Sequence, residues 1–367
     1  MTGVCETSRD QLVRMVEAAS LAPSAENTQP WRFAIDSDRL LVGIDRSRTL
    51  ASDVDDMLTL TGIGAAIENA VIAARGQSLK PAVVYRGGAY EVGSESLGPP
   101  EGVNDEFNAI AKITTTPSET HDPLYPFLTK RCTTRRLTAD PISPQVLQRL
   151  TYAAADFPGV RIDWLTTPKE IRPLAKLVGL CNRMRFEHEP FHREFYDNVR
   201  FSAADAERTR DGLDVRTLQL PIGVASLLKS LRYWKRMRAA NWFGFSRAVA
   251  RQAAEEVCSS GAVGILTVDR PTQESFLLGG RALERIWLAT FREDLGFHPT
   301  ASLPVLFAHV SRSKTSSLPA NLQRVLTWRL LHSRTLSDLV GTRSLQMVFR
   351  LGKVSREPDR SLRRFHK

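Results

Sequence analysis

Residues 22–33, Ala-Pro-Ser-Ala-Glu-Asn-Thr-Gln-Pro-Trp-Arg-Phe, decide how this chain is read. They follow an amphipathic pattern of Leu12, Val13, Val16, Ala19 and Leu21, and they run into the strand-like Trp31-Arg32-Phe33-Ala34-Ile35. The spacing predicts a helix over 8–21, a tight loop, and then a strand. Pro23 pins the backbone before Ser24, Ala25 keeps the loop small, and Asn27 and Gln29 each bring a donor and an acceptor. A loop of this kind suits a flat ligand edged with heteroatoms better than a metal ion or a nucleophilic attack. Its plainer reading is a surface turn with an Asx cap.

Outward from the loop, paired strands are expected at 31–35 and 40–44, a long apolar helix at about 56–75, and strands near 82–85 and 90–92. Residues 94–123, rich in Gly, Pro, Glu, Asp, Asn and Thr, read as a surface connection. The chain restarts at Pro123. A helical stretch is expected over 124–131, and Pro141-Ile-Ser-Pro144 opens a helix with Val146, Leu147 and Leu150 on one face. A strand at 160–165 and a helix at 169–184 complete a second helix–break–strand–helix unit. Its break is only Asp156-Phe-Pro-Gly159.

The two units look like diverged copies, giving a first half at 1–120 and a second at 121–367. Residues 200–255 interrupt the second with a basic, aromatic insertion around Lys229, Tyr233, Trp234, Trp242 and Phe243. Beyond it come a buried-strand run at 262–268, an amphipathic helix at 276–295, a helix with Leu322, Val325, Leu326, Leu330 and Leu331, and a strand at 345–351.

The chain has 367 residues, 42% of them apolar and 25% charged, the composition of a globular protein. Cys5 and Glu6 sit where the apolar part of a secretory signal would lie, and the apolar run at 57–67 is too short to span a bilayer. Four scattered cysteines show no CxxC spacing. The expectation is a cytoplasmic protein with no membrane span. The net charge of +10 falls within the segment from Ser311 onward, where thirteen Lys or Arg face three acids. That segment keeps helix and strand periodicity and has no aromatic-interleaved or helix-turn-helix pattern, so no nucleic-acid partner is expected.

Lys130-Arg131-Cys132-Thr133-Thr134-Arg135-Arg136 precedes the Pro-initiated helix. Arg131, Thr133 and Arg135 form a small anion trap, since guanidinium forks grip phosphate and a hydroxyl adds a neutral donor. This motif and the Pro-Ser-x-x-Asn loop resemble the two signatures of the FMN-dependent nitroreductase family. The long helix over 279–296 and the basic residues Arg363 and Arg364 near the end resemble that family too. The duplicated single-chain arrangement looks most like its mycobacterial Acg-like branch.

The resemblance implies an α+β nitroreductase-like fold of two related halves, with mixed or antiparallel sheets flanked by helices, forming an intramolecular pseudo-dimer. It implies FMN, with NAD(P)H as electron donor, a small organic substrate, and hydride transfer through the flavin. Arg131, Cys132, Thr133, Arg135, Arg363 and Arg364 would hold the phosphate side. Pro23, Ser24, Ala25, Asn27 and Gln29 would hold the ring system, with backbone at Ser302 or Leu303 beside its reactive edge, where Pro304 has no N–H to offer. The loop occurs only in the first half and the arginine motif only in the second, so one FMN per chain is expected.

Two other readings remain. The chain could hold or sense FMN without turnover, with the insertion as a lid or a surface for a protein partner. Alternatively, His188-Glu-Pro-Phe-His192 matches the HExxH zinc-hydrolase pattern, which requires one continuous helix that Pro190 opposes. Gly62-Ile-Gly64 is half of a dinucleotide fingerprint set inside a helix, and close helix packing accounts for it better.

Overall fold

The computed structural model describes residues 7–86, 109–312 and 318–364. The expected strand at 90–92 lies outside them. The chain opens with helix α1 (Arg9–Ser20), whose N-terminus is closed by a reciprocal capping box between Ser8 and Gln11. After the 22–30 loop, β1 (Trp31–Asp36) and β2 (Arg39–Ile44) form an antiparallel hairpin, with Trp31 opposite Ile44. Helix α2 (Met57–Arg75) follows, then β3 (Leu79–Tyr85) and β4 (Ala109–Pro117). The four strands make an antiparallel sheet in the order β1-β2-β4-β3.

Strand β4 corrects the expectation of a surface connection over 94–123. Ile110, Ala111 and Ile113 are buried in the large apolar core and Ala109 packs with Leu41, and the polar residues around this short run hid it. The helix expected at 124–131 shrinks to a single 3-10 turn at Tyr125–Phe127. The chain leaves the helical path where Arg131 turns inward to Glu284 and the Leu21 carbonyl.

The second part holds α3 (Pro144–Tyr152), β5 (Val160–Leu165), α4 (Pro168–Glu187), α5 (Glu189–Asn198) and β6 (Val199–Arg200). Then come α6 (Ala203–Thr209), β7 (Leu213–Asp214), α7 (Val224–Ser230), α8 (Trp234–Trp242) and α9 (Phe245–Cys258). It ends with β8 (Ala262–Val268), α10 (Gln273–Arg292), β9 (Gly296–Thr300), α11 (Ser302–Ser311), α12 (Ala320–Leu331), α13 (Arg334–Val340) and β10 (Ser344–Gly352). The second antiparallel sheet runs β5-β8-β10-β9, and β6 pairs with β7 in a small parallel ribbon.

Both four-stranded sheets trace the same path: first strand, second, fourth, third. In each, a long helix links the second strand to the third. The counterpart of α2 is therefore α10, and not the helix directly after β5 as the sequence pattern suggested. The segment between β5 and β8, residues 166–261, stands where the first sheet has only the turn at Ser37-Asp38. The insertion is thus longer than the 200–255 read from composition.

Helix α2 is apolar on all sides and buried from Met57 to Ala74. It is long and apolar enough to cross a membrane, but its whole length is enclosed by protein. Its closest partner is α10. A Cβ at Gly64 would overlap the Leu277 carbonyl oxygen, and one at Gly280 would overlap that of Thr61. One turn beyond these contacts Glu68 receives Arg281 at 2.7 Å and Arg285 at 2.9 Å. Arg285 also reaches Asp122 at 2.9 Å, and the Tyr85 hydroxyl accepts from Arg281 at 2.7 Å. Burial pushes the Glu68 carboxyl up, but the two guanidinium groups outweigh it and hold the group below its ordinary range.

One apolar core joins α1, α2, β2 and β4 to α3, β8 and α10, crossing between the halves. A second core lies between the other side of the second sheet and α4, α11, α12 and α13. Strand β8, buried at every position, reads accordingly as an unbroken apolar run.

Replacing Gly280 with Val should force α2 and α10 apart and lower stability by about 1–3 kcal/mol. Urea denaturation checks this: an unchanged midpoint would mean that the helices do not touch at this point.

Candidate functional site

The 22–30 loop adopts left-handed backbone at three non-glycine residues, Glu26 (φ 49°), Asn27 (φ 54°) and Gln29 (φ 54°). Such strain persists only where neighbours over-determine it. Here the neighbours come from distant parts of the chain. Asn27 Nδ2 donates to the carbonyls of Gly212 and Leu362, both at 3.1 Å, and Asn27 Oδ1 accepts from Arg363 at 2.9 Å. Gln29 Nε2 donates to the Arg210 carbonyl at 2.8 Å, and its Oε1 accepts the Arg364 N–H at 2.9 Å. Asn27 and Gln29 therefore clamp the loop to the insertion and to the C-terminal segment. Neither lines the cavity that the loop borders.

That cavity has a volume of about 290 Å³, near the lower end of the ~300–1,000 Å³ range of small-molecule sites. Pro23, Ser24 and Ala25 form one wall together with Thr61 and Gly62 of α2. The facing wall combines Thr133 and Arg135, Leu283 and Trp287 of α10, and Pro299–Ser302 at the start of α11. Helices α4, α5 and α9 roof it through Asn182, Arg185, Phe195 and Glu256. Arg185 is paired with Glu26 at 2.7 Å, and Glu194 accepts from the backbone N–H and hydroxyl of Ser52, so the roof is tied to the first half at two points.

The electrostatics of the floor stand out. Arg350 is buried, Arg135 is partly buried, and the two lie on either side of His298. Arg135 Nη1 is 3.0 Å from His298 Nε2, and Arg350 Nε is 2.8 Å from Nδ1. A neutral imidazole has one acceptor nitrogen and guanidinium has none, so the two contacts cannot both be hydrogen bonds. Arg135 Nε is also buried with no partner. Arg350 has Glu256 Oε2 at 3.2 Å and the carbonyls of Glu256 and Arg135 at 2.6 and 2.7 Å. Burial pulls the pKa of Arg135 down and that of Arg350 to about 10. Burial, then Arg350 and Arg135, holds His298 well below its usual range, so its ring is neutral. The cluster is short of acceptors and rich in positive charge, which fits the anionic part of a ligand.

The sequence-derived candidates divide. Pro23, Ser24, Ala25, Thr133, Arg135 and Ser302 meet at this cavity. Ser302 Oγ accepts from Asn182 Nδ2 at 3.0 Å, and α11 has no side-chain cap, which leaves first-turn N–H groups available. The Leu303 side chain is fully buried in the second core, and the cavity wall continues along α11 through Val305 and Leu306.

Arg131 lies off the cavity. Its Nε is 2.9 Å from Glu284, its Nη2 donates to the Leu21 carbonyl, and its guanidinium stacks on Trp287 at 4.7 Å. Arg363 donates to the carbonyls of Leu21 and Ala22 and to Asn27. The Cys132 carbonyl accepts from Trp287 Nε1 at 3.2 Å, and burial raises its thiol pKa. Arg364 meets the loop through its backbone. These four sit behind the loop and not on the cavity wall.

The HExxH reading loses its geometry. His188 is the break between α4 and α5 (φ −115°, ψ 117°), and buried His192 pairs with the Leu231 carbonyl at 3.0 Å. Among the described residues no group of three His, Cys, Asp or Glu could hold a metal ion.

No family model matches the chain. The uncharacterized protein MT1398 of Mycobacterium tuberculosis is 27% identical over 297 residues, covering 79% of this chain, which spans only 38% of that protein's length. Among solved structures, an oxidized iodotyrosine deiodinase bound to FMN and 3-iodo-L-tyrosine is similar with a TM-score of 0.37 and 12% identity. That match covers 66% of this chain and 96% of the other. The FMN-dependent nitroreductase NfnB from Mycobacterium smegmatis, in complex with NADPH, matches with a TM-score of 0.33 and 13% identity, over 62% of this chain and 86% of its own.

Because folded His298 takes up no proton where the unfolded chain does, stability should fall as pH drops below about 6.5, by at most about 1.4 kcal/mol per pH unit. In His298→Gln this part should vanish. Urea denaturation at about pH 5 and about pH 7.5 should show a smaller loss for the variant, and equal losses would place the proton uptake elsewhere.

Proposed function

We propose that this chain is an FMN-binding oxidoreductase of the nitroreductase type, built as an internally duplicated pseudo-dimer with one cofactor site, in which the first half at 1–120 lends the loop and the second at 121–367 the cationic wall. The observation that carries this reading is the cavity itself. It draws the Pro23–Ala25 loop from one half together with Thr133, Arg135 and the start of α11 from the other, beside an arginine pair of which Arg135 Nε is buried without a partner.

The residues present fit a flat, anionic cofactor. Arg135 and Arg350, with the Thr133 hydroxyl, would hold its charged part. Pro23–Ala25 and Gly62 would lie against its ring face, and the free N–H groups opening α11 would meet its polar edge. Arg131 and Arg363, committed to Glu284 and to loop carbonyls, position the loop. Bound flavin would supply hydride chemistry, with NAD(P)H as donor and a small organic molecule as substrate. The protein's share is orientation, positive charge near the ring and exclusion of water by the roof. No side chain is assigned as acid or base.

A second reading, flavin holding without turnover, is favoured by that same roof. The Arg185–Glu26 and Glu194–Ser52 contacts tie the helices over the cavity to the loop and to the segment before α2. Steady-state oxidation of NAD(P)H by the loaded protein separates the two.

The purified chain should show a flavin spectrum and release about one FMN on denaturation. Arg135→Met with Arg350→Met should weaken FMN binding at least about tenfold, given ~1.5–3 kcal/mol per charge-assisted contact, whereas His192→Ala should leave it unchanged. A colourless protein that takes up no added FMN, or a double variant that binds FMN like the wild type, would sink the assignment.

A further inference from the structure

Residues 215–254 carry eight Lys or Arg and no Asp or Glu. This stretch spans α7, α8 and the start of α9 at the outer side of the insertion. On α8, Met237 is fully buried and Trp234 packs beside it in a small third core with Phe186, Phe195 and Tyr196. Lys235, Arg238 and Trp242 recur at helical spacing and are exposed.

The helix ends in an adjacent aromatic pair, Trp242 and Phe243, exposed at 88% and 89%. Ile222, at the corner before α7, is also fully in solvent. Both corners turn at glycines in left-handed backbone, Gly223 (φ +82°) and Gly244 (φ +91°). Open space surrounds each, since a Cβ at either would meet nothing within 4 Å.

We propose that this segment docks on an anionic lipid bilayer. Ile222 and the Trp242-Phe243 pair would enter the headgroup layer, while Lys229, Arg232, Lys235, Arg236 and Arg238 meet the lipid negative charge. Projecting apolar tips flanked by bases, on a helix whose other side is anchored in a core, are the pattern of interfacial membrane elements. Single-stranded nucleic acid instead asks for rings set in a groove that follows the phosphate backbone, and these rings stand at corners with open space around them. Neither Ile222, the Trp242-Phe243 pair nor any of these bases lines the cavity, and the role proposed for them is independent of the flavin reading.

The test is co-sedimentation of the full chain with phosphatidylcholine vesicles containing about 30% phosphatidylglycerol, against pure phosphatidylcholine, at about 0.1 M salt. Binding should favour the anionic vesicles at least about tenfold and weaken as salt rises. Trp242→Ser with Phe243→Ser, and separately Lys235→Glu with Arg238→Glu, should each reduce it at least about tenfold while circular dichroism stays unchanged. Absence of vesicle binding, equal binding to neutral vesicles, or variants that bind like the wild type would each overturn the proposal. Retention on DNA without vesicle binding would do so in favour of nucleic acid. Flavin content, read on the same samples, keeps this outcome separate from that of the cofactor assignment.

Discussion

Glu68 sits on α2 with no exposure to solvent and faces Arg281 and Arg285 of α10, and this ionic triad sets the register of the whole molecule. A buried carboxylate costs several kcal/mol unless it is paired and hydrogen-bonded. Sliding either helix by one turn would take one of the two guanidinium groups from Glu68 and bring side chains where the backbones now touch at Gly64 and Gly280. The charges choose the register and the glycines permit the distance. Asp122, held by both Arg75 and Arg285, carries the same network into the connection between the halves.

The cavity depends on that register. Gly62 lies under Pro23 and Ser24, and a side chain there would press on the loop. Leu283 and Trp287 reach the opposite wall from α10, so both walls hang on the helix pair. The loop behind them is held by Arg131 and Arg363, which share one buried acid. Burial raises Glu284 to about 7 against the pull of Arg131, and lowers Arg363 to about 9. Four arginines around the loop and the cavity thus divide by their partners. Arg131 and Arg363 face Glu284 and carbonyl oxygens, a structural arrangement. Arg350 is held by Glu256 and by the carbonyls of Glu256 and Arg135, while Arg135 meets His298 and keeps a buried Nε without a partner, which leaves an electrostatic demand at the cavity.

Much of the fold was legible because its elements carry strong local signals. The Ser8 cap, the unbroken apolar strand at Ala262–Val268 and the 3.6-residue periodicity of α10 all state their structures without tertiary help. Strand β4 was not legible, since four apolar residues set among Thr, Lys and Pro do not separate from a loop by periodicity. Of the residues that the sequence singled out, Pro23–Ala25, Thr133, Arg135 and Ser302 line the cavity. The motifs could not say that Arg131 would fold back onto Glu284, because the two are joined only through tertiary packing. Arg350 and His298 were missed as a pair for the same reason. Their sole signal was a charged residue within the apolar run Leu345–Leu351, and the facing histidine becomes visible only once β9 pairs with β10, placing Arg350 opposite His298.

The position of the insertion explains how so large a segment coexists with a preserved sheet. Strands β5 and β8 are antiparallel neighbours, as are β1 and β2, and a hairpin tip is where chain length can grow at little cost. Loop-closure entropy rises only as the logarithm of length, about 0.6 kcal/mol per doubling, whereas an insertion within a strand would break the ladder. The inserted helices then recover that cost by burying their own core of Phe186, Phe195, Tyr196, Leu231 and Met237. Phe195 belongs to this core and also lines the cavity, and the guanidinium of Arg185 lies 5.2 Å from its ring. Because packed cores deform little, the roof over the cavity and the basic outer helices are braced together through this third core, and α4 and Val257 of α9 brace them in turn on the face of the second sheet.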